Sequence, residues 1–263
     1  MVIVERGRLR ARLATTAQDL RRAQALRARA FGLTAKGIAR DCDRFDRRCR
    51  HVLIEAMPAA TLVGCFRVLP LAGGAEIGQS YSAQFYDLAA LARFGAPMAE
   101  VGRFCLDPDH HDPDVLRLAW AALTRLVLAG GVGMLFGCTS FAGTDAGAYL
   151  DTFAMLRAGH LAPGRWRPEI KGPGIKGPGI KGRGDGTPGV FAFARRLGTR
   201  PADPRRAAAQ MPPLLRTYLM MGGWVSDHAV IDHDLGTLHV FTGVEIAAIP
   251  PARVRSLRAA AGV

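Results

Sequence analysis

The chain lacks a C-x-x-C pair, zinc-finger spacing and any RNP-like aromatic motif. Those absences remove the common signatures of metal-stapled and nucleic-acid-reading modules, so no nucleic acid partner is expected. The five cysteines, Cys42, Cys49, Cys65, Cys105 and Cys138, are scattered and odd in number, which reads as reduced thiols rather than a disulfide framework. The N-terminus runs Met1-Val2-Ile3-Val4-Glu5-Arg6, charged too early for a secretory h-region, so a cytoplasmic location is expected. Acids are also scarce. Lys and Arg number 35 against 22 Asp and Glu, a net charge of +13, which favours anionic partners.

No linker-like stretch divides the 263 residues, and 1–263 reads as a single elaborated domain. One segment departs from ordinary composition: residues 170–184 repeat Ile-Lys-Gly three times among glycines and prolines. That pattern forbids a packed helix or central strand and reads as a basic loop. Lys171, Lys176 and Lys181 within it would add about 3 kcal/mol of attraction to anionic lipid, enough to assist peripheral membrane contact but not to secure it. Another stretch, Leu126 to Gly143, is uncharged and approaches the length of a membrane span. Gly130, Gly131 and Gly133 interrupt it, so it reads as a helix end followed by a buried strand, Met134 to Phe141.

The apolar fraction of 49% supports a substantial core. Arg8 to Ala14 alternates as an opening strand, and Thr16 with Asp19 forms a capping box. Leu20, Ala23, Leu26, Ala30 and Phe31 give the following helix one apolar face, with Arg27 beside it. His51–Met57 and Thr61–Leu71 read as a hairpin, Phe85–Phe94 as a short helix and Met98–Leu106 as a strand. Asp112-Pro113 opens a helix running to Ala129, and another helix spans Asp145–Ala158. Pro212–Met221 is an apolar helix. Trp224–Ile231 and Thr237–Ile249 form a closing hairpin, and Arg253–Ala261 a terminal helix. The order is that of an α/β fold with a mixed sheet.

Within the strand at Met98–Leu106, Glu100-Val101-Gly102-Arg103 puts an acid and a base three residues apart in an apolar run. Buried charges need partners. The spacing puts the two on opposite faces of a regular strand, so they share a face only where the strand is bulged. The residues alone leave open a general base at Glu100 or an internal ion pair with Arg103. His110-His111 and the set His228, Asp232, His233, Asp234 lack ligand spacing, and no metal is expected at either.

Taken in order, Asp43-Arg44-Phe45-Asp46, Gly64-Cys65-Phe66-Arg67, Glu100-Val101-Gly102-Arg103 and Leu135 to Asp145 resemble the ornithine lipid N-acyltransferases, a branch of the GNAT superfamily. The acidic pair, the arginine and E-x-x-R are also similar to the acyl-homoserine lactone synthases. The likeness covers residues 15–165 and returns at 214–234, where Met211 to Leu219 and Gly223-Trp224-Val225 look like the family's closing helix and hairpin.

The resemblance implies a GNAT-like, mostly antiparallel sheet flanked by helices, with an extra C-terminal helix and hairpin. It implies transfer of a 3-hydroxyacyl chain from acyl carrier protein to the α-amino group of ornithine, giving lyso-ornithine lipid. Glutamine or lysine as acceptor, acyl-homoserine lactone synthesis and a non-enzymatic basic membrane-surface module are the alternatives. Glu100 would take the ammonium proton. The bulge near Arg103 would free backbone N–H groups around Phe104 for the oxyanion. Tyr149 would protonate the leaving thiolate. Asp43 and Asp46 would face the cationic amino acid, Arg67 and Arg27 would brace them or bind a carboxylate, and Ser140 would flank the pantetheine arm. Where coenzyme-A-dependent relatives carry a Q/R-x-x-G-x-G/A loop, this chain reads Asp107-Pro108-Asp109-His110-His111-Asp112-Pro113. Those acids repel a pyrophosphate. The expected donor is therefore 3-hydroxyacyl-phosphopantetheine on the acidic carrier protein, with no tightly bound cofactor.

Overall fold

The computed structural model describes residues 1–171 and 189–263. The strands are β1 Val2–Arg6, β2 Leu9–Leu13, β3 Arg50–Ala56, β4 Thr61–Leu71, β5 Tyr86–Asp87, β6 Met98–Leu106, β7 Met134–Ala142, β8 Glu169–Ile170, β9 Gly189–Phe191, β10 Trp224–Val225, β11 Ala229–Asp232 and β12 Thr237–Glu245. The helices are α1 Ala17–Ala30, α2 Pro113–Ala129, α3 Leu150–Gly159, α4 Phe193–Arg196, α5 Pro204–Gln210, α6 Pro213–Met220 and α7 Pro251–Ala261. Contacts gather these into two compact units woven from separated segments. One comprises Met1–Pro70, Ala99–Val132 and Pro250–Val263, and the other Leu71–Met98 and Gly133–Ile249.

In the first unit the strand order is β1-β2-β3-β4-β6. The β1–β2, β2–β3 and β3–β4 pairs are antiparallel. Helix α1 starts where the sequence places it. Thr16 Oγ1 accepts from Asp19 N at 3.0 Å and Asp19 Oδ2 accepts from Thr16 N, closing the capping box. Its buried stripe includes Ala23 and Leu26 but also Arg27, which is only 1% exposed. An ionic knot fixes α1 to the sheet: Arg10, Arg12 and Arg22 all donate to the buried Glu55 carboxylate, and Arg12 also holds Asp19. On α2, Arg125 donates to the carbonyls of Ala261 (2.6 Å) and Ile3 (2.8 Å), tying α7 and β1 to one side chain.

In the second unit β12 pairs antiparallel with β7 over the full length from Thr237↔Ala142 to Glu245↔Met134. β11 pairs with both β12 and β9, while β10 adds to β12. Here the hairpin turn is made by Asp232, whose Oδ1 accepts from Leu235 N. The core gathers Phe141, Phe153, Leu156, Phe193, Leu215, Leu238 and Val240. Gly243 is required by packing, since a Cβ there would meet the Trp224 ring at 2.5 Å.

Two expectations need correction. Residues 85–94 do not form a helix: β5 is followed by a 3-10 turn, Ala89–Arg93. Asp87 Oδ1 captures the Ala89 N–H, and Phe94 O accepts from Gly74 N at 2.8 Å. Local side-chain bonds and a non-helical partner therefore take the backbone groups that a helix would use. The helix expected over 145–158 begins instead with a 3-10 turn, Ala146–Tyr149, because Asp145 Oδ1 accepts from Gly147 N. Sequence periodicity did not anticipate β1, α4 or α5. The repeat at 170–184 lies almost wholly outside the described residues. No helix among the described residues is long and apolar enough to cross a membrane, and Leu126 to Gly143 divides into the end of α2 and β7.

Candidate active site

The first unit brings three aspartates and three arginines into one buried cluster. Asp41, Asp43 and Asp46 come from the loop between α1 and β3, whereas Arg27, Arg67 and Arg103 come from α1, β4 and β6. Arg27 Nε donates to Asp41 Oδ2 (2.8 Å), and Arg27 Nη1 to Asp46 Oδ1 (2.9 Å). Arg67 grips Asp43 through both terminal nitrogens, at 2.6 and 2.7 Å, and reaches Asp46 Oδ1 at 2.6 Å. Arg103 Nε donates to Asp41 Oδ2 at 2.7 Å. Gln24 donates to Asp46 Oδ2, and His51 Nε2 donates to the Asp46 carbonyl at 2.9 Å. Formal charge balances within the cluster, as burial demands.

Burial alone would raise the Asp46 carboxyl. The hydrogen bonds and charge of Arg27, with Gln24 and Arg67, outweigh it and hold the group below the ordinary carboxylate range. Burial likewise opposes ionisation of Asp41, and the charges of Arg103 and Arg27 overcome it. Both folded values lie below the unfolded 3.8. The unfolded chain therefore takes up protons that the folded one refuses. The stability these carboxylates contribute is fully present above about pH 4 and is lost as pH falls through the folded values. The unfolding free energy from urea titrations should hold steady from neutral pH to about pH 5, then fall at about 1.4 kcal/mol per pH unit for each carboxylate. Asp46→Asn should flatten that acid limb in urea titrations.

Strand β6 contains one left-handed residue. Arg103 has φ +52°, a conformation costing about 1–2 kcal/mol for a residue with a Cβ. It breaks the alternation of β6, so the Arg103 side chain reaches the loop acids. Before it, Gly102 faces Arg67, its Cβ position lying 3.7 Å from Arg67 Nε. Glu100, 4% exposed, is two residues earlier and on the face of Gly102. The Cys49 thiol links these groups. Burial pushes it up to about 12, Arg67 opposes that rise, and the charges of Glu100, Asp43 and Asp46 add to it. One half-buried thiol thus senses Glu100 and the aspartates together.

Asp43 is the opening of this cluster. Its side chain is 20% exposed, against 7% for Asp41 and 4% for Asp46. Phe104 stacks on Phe66 with ring centroids 5.3 Å apart and faces Trp120 at 6.4 Å, so its side chain serves packing.

The structure therefore brings Arg27, Asp43, Asp46, Arg67 and Arg103 together, with Glu100 beside them. Tyr149 and Ser140 belong to the second unit. The Tyr149 hydroxyl donates to the Ala142 carbonyl at 2.7 Å and its ring packs on Phe141. Ser140 is half-buried on β7 opposite His239. Sequence reading missed Asp41, Gln24 and His51. The signal for Asp41 was present, since it stands two residues before Asp43 in the same acid-rich run.

The family model described as an acetyltransferase (GNAT) domain matches residues 23–121, which contain the whole cluster. An L-ornithine N(alpha)-acyltransferase of Rhodobacter capsulatus is 33% identical over 242 residues, spanning 87% of this chain and 86% of the relative. One from Brucella abortus is 28% identical, spanning 89% and 83%. Among solved structures, an N-acyl amino acid synthase from uncultured soil microbes aligns over 96% of both chains with a TM-score of 0.46 and 14% identity.

Proposed function

This chain belongs to the L-ornithine N(alpha)-acyltransferase family, and on that footing we propose that it transfers a 3-hydroxyacyl chain from acyl carrier protein to the α-amino group of ornithine, giving lyso-ornithine lipid. The observation that carries this reading is the half-open Asp43 carboxylate in an otherwise closed, charge-balanced cluster beside Glu100. An ammonium docking at Asp43 gains a rigid partner, because Arg67 already fixes both carboxylate oxygens.

In this mechanism Asp43 holds the amino acid and Glu100 accepts the proton that the α-ammonium must lose before its nitrogen attacks the thioester. Backbone N–H groups released at the left-handed turn by Phe104 stabilise the oxyanion. The leaving thiolate takes up one proton and departs as the carrier's thiol. Asp46, Asp41, Arg27, Arg67 and Arg103 position Asp43 and the strand.

The start of α2 supports a carrier-bound donor. Asp112 caps the helix, its Oδ1 accepting from Asp114 N at 2.8 Å, so a carboxylate holds the place that a pyrophosphate would need. Peripheral contact with anionic membrane completes the reading, since the product is a lipid and the chain carries +13.

The test is lipid mass spectrometry after expression in a host that makes no aminolipid. A hydroxyacyl-ornithine should appear with the intact protein and vanish with Asp43→Ala. An acylated glutamine or lysine, or a homoserine lactone, would replace ornithine as the acceptor assignment.

A further inference from the structure

The second unit carries a density of arginine that the chemistry above does not use. Arg195, Arg196, Arg200, Arg205 and Arg206 fall within twelve residues and all are exposed. Asp203 is the acid among them, and capping spends its carboxylate: Oδ1 accepts from Arg205 N (2.9 Å) and Arg206 N (3.2 Å). Such short helices do not persist alone. Here α4 and α5 both pack on α3, and Phe193 of α4 stacks on Phe153 of α3 with centroids 5.0 Å apart. The segment closes on itself over α3, because Arg200 Nη2 lies 3.4 Å from Asp151 Oδ1 and Arg206 acts on the same carboxylate. Arg196 lies over the Phe191 ring at 5.6 Å. The arginines are therefore mounted on a built surface.

The surface is also bare of large apolar side chains: none between 195 and 206 is exposed. Charge alone attracts anionic lipid by about 1 kcal/mol per arginine, but a lasting seat at the interface adds an apolar face that enters the acyl boundary, and this patch has none. We propose that it docks an acidic folded protein, the carrier that presents the acyl thioester. The assignment rests on the carrier-bound donor reading above. Arginine suits the task because its planar fork pairs with carboxylates through two hydrogen bonds, and clustered charge steers encounter before contact.

The double variant Arg195→Glu with Arg205→Glu tests this, since neither side chain braces the fold through a described ion pair. The same 3-hydroxyacyl group is offered to the full chain on acyl carrier protein and as its pantetheine thioester. For the carrier donor, kcat/KM should fall about 10–100-fold at low salt, and the gap should narrow as salt rises. For the pantetheine donor it should stay unchanged, with an unchanged melting temperature. If the parent protein uses both donors equally, the carrier reading fails. If the parent prefers the carrier and the variant keeps that preference, the docking surface fails while the carrier reading stands. Loss of binding to anionic phosphatidylglycerol vesicles with intact carrier kinetics would reassign the patch to the membrane and overturn the proposal.

Discussion

Glu100→Gln should lower kcat for ornithine acylation by about 10²–10⁴-fold, the usual worth of a positioned general base. Glutamine keeps the shape of the side chain and its acceptor oxygen but cannot hold a proton as a neutral acid. Because Glu100 is buried at 4% exposure on a strand, the isosteric change leaves packing intact, and the melting temperature should move by only a few degrees. The acid limb of the kcat/KM profile should vanish with the activity, because the group responsible for it is gone. A purely structural glutamate gives the opposite pattern, with preserved rate per folded molecule and lowered stability. Retention of activity within about tenfold would remove Glu100 from the chemistry.

Arg27→Met should cost about 3–5 kcal/mol, the penalty for leaving one side of a buried ion pair without its partner. Arg27 is 1% exposed and binds Asp41 and Asp46, whose side chains are 7% and 4% exposed. Methionine fills much of the volume but none of the charge, so two carboxylates lose a shared cation. For a chain of this size the expected fall in melting temperature is roughly 6–20 °C by calorimetry. Adding Asp46→Asn should recover part of that loss, because the uncompensated charge drops. A change of less than about 1 kcal/mol would show that water reaches the cluster and that its geometry is not held by burial.

How much could be read in advance depended on which force set each feature. Thr16 and Asp19, Asp112 with Pro113 and the Gly130 terminus are local signals: α1 begins, and α2 begins and ends, where those residues place them. Strand β6 was legible to the residue, because its apolar run is bounded by Pro97 and Asp107. Residues 85–94 misled because their apolar spacing is helical while their backbone partners, Gly74 and the Asp87 carboxylate, are set by the tertiary fold. Helix α4 has no side-chain cap and forms against α3, whereas α5 carries a local start signal in Asp203-Pro204 of the same kind as Asp112-Pro113.

At the candidate site the acids of the loop and the arginine of β4 were visible as residue types in order. Their pairing was not. Spacing alone puts Arg103 on the face opposite Glu100, and a φ of +52° accompanies its hydrogen bonds to Asp41 and Asp43. A backbone exception of that kind leaves no trace in composition. Arg27 on an otherwise apolar face was the clearest available hint that something charged lay beneath α1.

The Arg125 guanidinium holds the carbonyls of Ile3 and Ala261, so one side chain clasps two segments of the same unit that lie far apart in sequence. Cutting that clasp with Arg125→Met should let β1 and α7 loosen together, and amide exchange should quicken in both segments at once.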